Sequence, residues 1–148
     1  MAYWFLIERK ENWEVDRREG FRRFGIARSK ISLAAKIKKG DLLIFYVSSG
    51  ISKLADVREA NKDGIEKLPM GGDYDTAFPS CILTRPYITL ERENWIPLRP
   101  LIERLSFIDT TKDWRQNLRN SLRLLSDADG ALLLTSMRRE SLKQNKKE

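Results

Sequence analysis

Residues 2–15 read AYWFLIERKENWEV, a change of pattern from strand to helix within one short stretch. The aromatic and branched residues of AYWFLIER predict a first strand over 2–9. The segment ENWEVDRREG (11–20) predicts a short helix or turn stopped by Gly20. Tryptophan is a costly residue to leave idle near a chain terminus, so Trp4 and Trp13 each call for a structural or ligand-binding role. Trp4, on a strand with alternating faces, is expected as a wall of the domain with one edge toward a pocket. Trp13 is the better candidate for meeting a ligand.

Working outward, FRRFGIARSK (21–30) reads as an irregular, strongly basic loop, and ISLAAKIKKGD as a turn or two of helix before a glycine stop. Gly40–Asp41 is a turn signal feeding the strand LLIFYVS (42–48). Phe45 and Tyr46 must there point to opposite faces, so only one can enter the main core. KLADVREA (53–60) is a further strand, and 61–79 concentrates Gly, Pro, Asn and Asp as a long loop. SCILTRPYITL (80–90) is a strand whose Pro86 belongs at an edge or a bulge.

Helical spacing then appears at Leu98, Leu101, Ile102 and Leu105, and again at Trp114, Leu118, Leu122 and Leu125. A last helix over 127–142 starts with Asp127 as its expected N-cap, and KQNKKE is a charged, frayed end. Strands before residue 90 and helices after it predict an α+β fold with a small, strongly bent sheet or barrel. The expectation is a single domain over 1–138 and a charged tail over 139–148.

A chain of 148 residues buries about 70% of the surface its unfolded form exposes, enough for a core without metals or disulfides. The longest apolar run, LLIFYV, is far short of the roughly 20 residues that span a bilayer, so no membrane partner is expected. YWFLI is too short for a signal sequence and no basic segment precedes it. Cys81 is the one cysteine, which suits a reducing, cytoplasmic setting, and its apolar context marks it as buried filler. The net charge is +7, and residues 9–39 carry eleven Lys/Arg against four acids, which accounts for the whole excess. Cations interleaved with aromatic rings suit a polyanion carrying bases.

The chain has no histidine, which removes Ser-His-Asp and Cys-His catalysis and most zinc sites. No phosphate-binding glycine motif occurs, and nothing calls for a cofactor or a metal. What remains for catalysis is the carboxylate pairs Asp73/Asp75, Glu91/Glu93 and Asp127/Asp129, which read as turn formers and helix-start residues. A binding domain is therefore expected, not an enzyme.

Taken together, Tyr3–Trp4, Asn12–Trp13–Glu14, Phe24–Gly25–Ile26, Lys39–Gly40–Asp41 and Tyr46–Val47 resemble, in order and spacing, the EVE domain of the PUA-like group, related to YTH readers of modified RNA. The likeness extends through FPSCILTRP to the closing DWRQNLRNSLRLLSDADGALL, nearly the whole chain. It implies a PUA-like mixed β-pseudobarrel with flanking helices, and a pocket for a flipped, modified base, methylation being the expected modification. Phe24 stands where many relatives have tryptophan, which keeps a smaller stacking face. Tyr46 is followed by Val47–Ser48 where many have His-Ser, so no imidazole is offered.

The candidate base pocket is Trp4, Trp13, Phe24, Gly25, Ile26, Tyr46, Ser48 and Pro79. The candidate phosphate contacts are Arg17, Arg18, Arg22, Arg23, Arg28 and Lys30. The expected partner is nucleic acid, RNA or DNA. Two alternatives stay open: a carboxylate- or metal-dependent nuclease or base-modifying enzyme using Asp73 and Asp75, and a small-molecule or protein-binding module.

Overall fold

The first strand, β1 (Tyr3–Glu8), is buried on both faces, and the rest of the molecule is arranged around it. A computed structural model describes residues 1–48, 50–67, 79–111, 113–118 and 121–146. After β1 come α1 (Lys10–Arg18), β2 (Arg23–Ile26), α2 (Ile31–Ala34), β3 (Leu42–Val47), β4 (Lys53–Ala60), β5 (Glu66–Lys67), β6 (Ser80–Thr89), β7 (Ile96–Pro97), β8 (Leu122–Leu124) and α3 (Asp127–Lys146). Short 3-10 segments lie at Arg28–Lys30, Arg92–Asn94, Arg99–Arg104 and Trp114–Leu118.

One sheet runs β2-β6-β4-β3-β1-β8, with β5 added to β6 and β7 to β4. β1 lies parallel to β3, pairing Leu6 with Phe45, and antiparallel to β8, pairing Leu6 with Leu122. Alternation along β1 feeds two cores. Trp4 and Leu6 enter an inner cluster with Phe24, Ile26, Leu43, Phe45, Ile82 and Leu122. Phe5 enters an outer cluster with Trp13, Ile44, Tyr46, Leu133 and Met137, the side covered by helices. The inner cluster draws on both edge strands, β2 and β8, so the sheet is curled into a half-barrel.

Phe45 and Tyr46 do point to opposite faces, and both are buried because each face has its own core. Pro86 sits at a register break, where Val57 pairs with Ile88 but Arg58 pairs with Pro86, leaving Tyr87 as the extra residue. Cys81 is buried, and burial raises its thiol pKa.

Four sequence expectations are corrected. The stretch 21–30 is not a plain loop, since Arg23–Ile26 forms a full edge strand paired with β6, Phe24 opposite Ile82. The helix expected over 113–125 is a 3-10 segment followed by β8, because the open edge of β1 offers backbone partners that outweigh helical spacing. The helix expected over 97–108 shrinks to a 3-10 segment with Pro100 near its start, which still buries Leu98 and Leu105. At α3 the cap is Ser126, whose Oγ accepts the Asp129 N–H at 3.1 Å, so Asp127 is the first helical residue. The helix expected over 127–142 continues to Lys146.

α3 reaches β1 through Gly130, where an added Cβ would lie 2.1 Å from Tyr3 Cγ. This close approach lets Leu133 and Met137 seal the outer core. Gly130→Ala is expected to cost about 1–3 kcal/mol, because the Tyr3 ring base and the helix must separate. Urea denaturation checks it, and an unchanged midpoint would contradict the close approach.

Candidate functional site

Where the half-barrel fails to close, a cavity of about 200 Å³ opens between β1, β2 and β8. Ile7, Glu8 and Arg9 line it from the end of β1, Phe24 to Ala27 from β2, and Ser121 and Leu122 from β8. Asn12 of α1 and Lys30 complete it. Drug-sized ligands occupy clefts of about 300–1,000 Å³, so this smaller space suits a single planar heterocycle. Most of its wall is apolar. Phe24 is its aromatic ring among the described residues, held edge-to-face on Phe45 with centroids 5.1 Å apart. Arg9 is exposed and Lys30 half-buried, so both cations border the cavity where a ligand's phosphates would pass.

The cavity wall shares Glu8 with a buried ion cluster. The Arg58 guanidinium of β4 donates from Nε to Asp56 at 2.7 Å, from Nη1 to Asp16 at 2.7 Å and from Nη2 to Glu8 Oε1 at 3.3 Å. Its carbon stands 3.6 Å from the Phe45 ring centroid and 4.6 Å from that of Phe21. Burial works against the arginine's charge, but Asp56, Glu8 and Asp16 outweigh it and raise its pKa. Three carboxyls share this one guanidinium. Burial, opposed by Arg58 and then reinforced by Asp16 and Asp56, lifts the Glu8 pKa well above 4.5. Glu8 Oε2 is buried and receives no N–H, while a side-chain hydrogen bond with Asp16 helps hold the Glu8 proton.

The sequence candidates divide between several places. Phe24, Gly25, Ile26 and Lys30 line the cavity together. Trp4 does not line it, because its Nε1 donates to Asp41 Oδ2 at 3.0 Å beside a separate groove with Lys36, Lys38 and Lys39. Trp13, the favoured ligand contact, is a core residue. Its Nε1 donates to Asp56 Oδ1 at 2.9 Å and its ring meets Trp95 edge-on at 4.8 Å. Tyr46 is buried against Phe5 in the outer core, and burial raises its phenol pKa. Ser48 lies behind the wall, with its Oγ donating to the Glu8 carbonyl at 3.3 Å. Pro79 precedes β6 and is not among the lining residues.

Arg17, Arg18, Arg22 and Arg28 are exposed, and Arg18, Arg22 and Arg23 border a second, open groove. Arg23 pairs with Glu19 through two contacts of 3.2 and 3.3 Å. Asp73 and Asp75 lie outside the described residues. Asp129 is committed to structure, accepting from the Ser106 N–H at 3.0 Å and from its hydroxyl at 2.5 Å. Among the described residues no group of His, Cys, Asp and Glu is arranged to hold a metal ion. No helix among them is long and apolar enough to cross a membrane.

The sequence reading passed over Glu8, Arg9, Asn12, Ser121 and Leu122. A signal existed for Glu8, because the alternation Trp4, Leu6, Glu8 places a carboxyl on the inward face of a core strand. The position of β8, and with it Ser121, depended on the strand that had been read as helix.

No protein-family model matches the chain. The UPF0310 protein PH1033 of Pyrococcus horikoshii is similar in sequence, 27% identical over 147 residues covering 90% of this chain and 97% of that one. Among solved structures, Rpa0253 of Rhodopseudomonas palustris superposes with a TM-score of 0.67 at 14% identity, covering 94% of both chains. The Mmi1 YTH domain in complex with RNA superposes with a TM-score of 0.66 at 9% identity, covering 97% of this chain and 81% of that one. The fold is the PUA-like fold of YTH domains. At such identities the YTH likeness fixes the backbone path, while the chemistry of the cavity is this chain's own.

The Glu8 carboxyl ties that chemistry to stability. With its folded pKa raised above 4.5, the folded protein holds this proton more tightly than the unfolded chain. The resulting stabilisation is complete below 4.5 and is lost as pH rises through the folded value. Glu8→Gln, neutral at every pH, removes that loss. Its stability relative to wild type is expected to rise with pH from about 4.5 upward, measured by urea denaturation at several pH values. A difference independent of pH would contradict the assignment.

Proposed function

We propose that this protein binds nucleic acid and holds one unstacked, modified base in the cavity between β1, β2 and β8. The observation that carries the reading is the meeting of an apolar slot, the Phe24 ring and two cations, Arg9 and Lys30, at the seam of the half-barrel. The solved RNA complex of an Mmi1 YTH domain with the same fold favours RNA over DNA as the partner.

Magnitudes favour a single strand or loop. Stacking on an aromatic ring contributes about 1–3 kcal/mol per base. A buried methyl group on the base adds about 0.8 kcal/mol. Extruding a base from a duplex costs a few kcal/mol, which would consume most of that gain, whereas an unpaired base is already accessible. With one aromatic ring and two cations at the cavity, a neutral modified base fits better than a cationic one, whose charge Arg9 and Lys30 would repel. The wider basic surface, with exposed Arg17, Arg18, Arg22 and Arg28, supplies sequence-independent attraction to the backbone.

Affinity for a single-stranded RNA is expected to fall with salt. For about four neutralised phosphates, log affinity falls against log salt with a slope of roughly −3. Arg9→Ala and Lys30→Ala are each expected to weaken binding across all sequences and flatten that slope by about 0.7. Fluorescence anisotropy at several salt concentrations measures both. Binding insensitive to salt, or unchanged slopes in both variants, would contradict the reading.

A further inference from the structure

The cavity accounts for Lys30 and leaves a second run of cations without a role. From Arg28 to Gly40 the chain carries five Lys/Arg and no acid, and three of them, Lys36, Lys38 and Lys39, follow α2. All three are exposed, and among the described residues none forms an ion pair. With Leu33 and Leu124 they border an open groove of about 500 Å³. Asp41 is the acid in its wall, and its carboxyl is buried and already committed. It accepts from the Ala2 N–H at 2.8 Å, the Lys38 N–H at 2.9 Å and the Trp4 indole at 3.0 Å. The exposed Asp63 accepts from the Lys39 N–H at 2.8 Å, and the three ammonium groups outnumber these two acids. Leu124 is 55% exposed, which puts bare apolar surface beside the cations. That pairing of an apolar face with positive charge matches a nucleotide, whose base is flat and whose phosphate is anionic.

Two elements join this groove to the cavity. β8 gives Leu122 to the cavity and Leu124 to the groove. Residues two apart on a strand share a face, so the two openings lie on one side of β8, about 7 Å apart along it. Opposite, Lys30 borders the cavity while Leu33 and Lys36 border the groove. These three follow one another at single-turn steps, and the Lys36 N–H donates to the Leu33 carbonyl at 3.1 Å. A strand leaving the cavity between β8 and α2 meets Lys36 first and then the Lys38–Lys39 pair. The Arg18–Arg23 groove offers less, because Glu19 lines it and holds Arg23 through two contacts.

Resting on the base-binding reading above, we propose that the Lys36–Lys39 groove holds the nucleotides that flank the cavity base on one side, in the same RNA strand. The three ammonium groups meet phosphates, and Leu124 supports the neighbouring base. Lysines act here as mobile point charges, which tolerate any sequence on that side. The protein therefore recognises one base in the cavity and requires a length of strand beyond it for full affinity.

The test compares single-stranded RNAs of mixed sequence, from a trinucleotide to a nonamer, by fluorescence anisotropy. The triple variant Lys36→Ala, Lys38→Ala, Lys39→Ala is measured beside a control with the same charge loss, Arg139→Ala, Lys143→Ala, Lys146→Ala. The control residues are exposed on α3, which covers the outer core. The groove variant is expected to bind the nonamer about tenfold or more weakly than wild type at low salt, with its salt slope flattened by about 1 to 2. On the trinucleotide its loss is expected to stay within about threefold, and the control to stay within about threefold of wild type on both. Thermal melting confirms that both variants are folded. Equal nonamer affinity in the groove variant and the control overturns the role of the groove and leaves base binding standing. A groove variant that loses as much on the trinucleotide as on the nonamer overturns it as well. Absence of wild-type binding to every RNA overturns the base-binding reading and this inference with it.

Discussion

The Arg58 guanidinium is the constraint on which the site depends. It has no exposure, and it joins three carboxyls from three elements: Glu8 of β1, Asp16 of α1 and Asp56 on its own strand. An isolated charge in that position would be prohibitive, and removing one partner from such a cluster typically costs about 3–5 kcal/mol. The cluster fixes α1 against the sheet at a single distance and rotation. Trp13 reinforces this by donating to Asp56 while packing edge-on against Trp95. Phe21, with φ at +55°, accepts an uncommon backbone conformation and packs its ring against both Trp13 and Arg58. Positions along α1 and the end of β1 are thereby set, which is what brings Asn12, Glu8 and Arg9 to one cavity.

The cavity follows from the sheet's failure to close. β2 and β8 are the two ends of the strand order, yet residues of both line the same space. A closed barrel would fill that seam with side chains, and a flat sheet would leave it as open surface. Curling without closure leaves a cavity of about 200 Å³ whose wall shares Glu8 with a cluster in which three acids meet one guanidinium. Burial, reinforced by the neighbouring acids Asp16 and Asp56 against the pull of Arg58, explains why Glu8 sits with a raised pKa.

Much of the frame was legible in residue order. The strands at 2–9, 42–48 and 53–60, the bulge at Pro86 and the last helix follow from alternation, branching and turn residues. What escaped was decided by contacts distant in sequence. Leu122–Leu124 has helical spacing with Trp114 and Leu118, but the open edge of β1 recruits it as a strand. Phe24–Gly25–Ile26 was recognised as a ligand loop, and the structure makes it an edge strand that lines the cavity. Trp4 and Trp13 were singled out as rings too costly to leave idle, and the structure places one in each core. Asp41 and Asp56, each far away in sequence, turn out to be their partners. Glu8 and Arg58 show no local signal of pairing across fifty residues, and such pairs become visible only in three dimensions.

Structure and charge thus converge on the seam of the half-barrel, where a base would lie against Phe24 and its phosphates near Arg9 and Lys30. The most direct test is a titration of the isotope-labelled protein with a single-stranded RNA oligonucleotide, followed by amide NMR. Shift changes are expected to concentrate at 7–9, 24–27 and 121–122, the three walls of the cavity. Changes confined to the Arg18–Arg23 groove or the Lys36–Lys39 face, with the cavity amides unmoved, would contradict a base site at the seam.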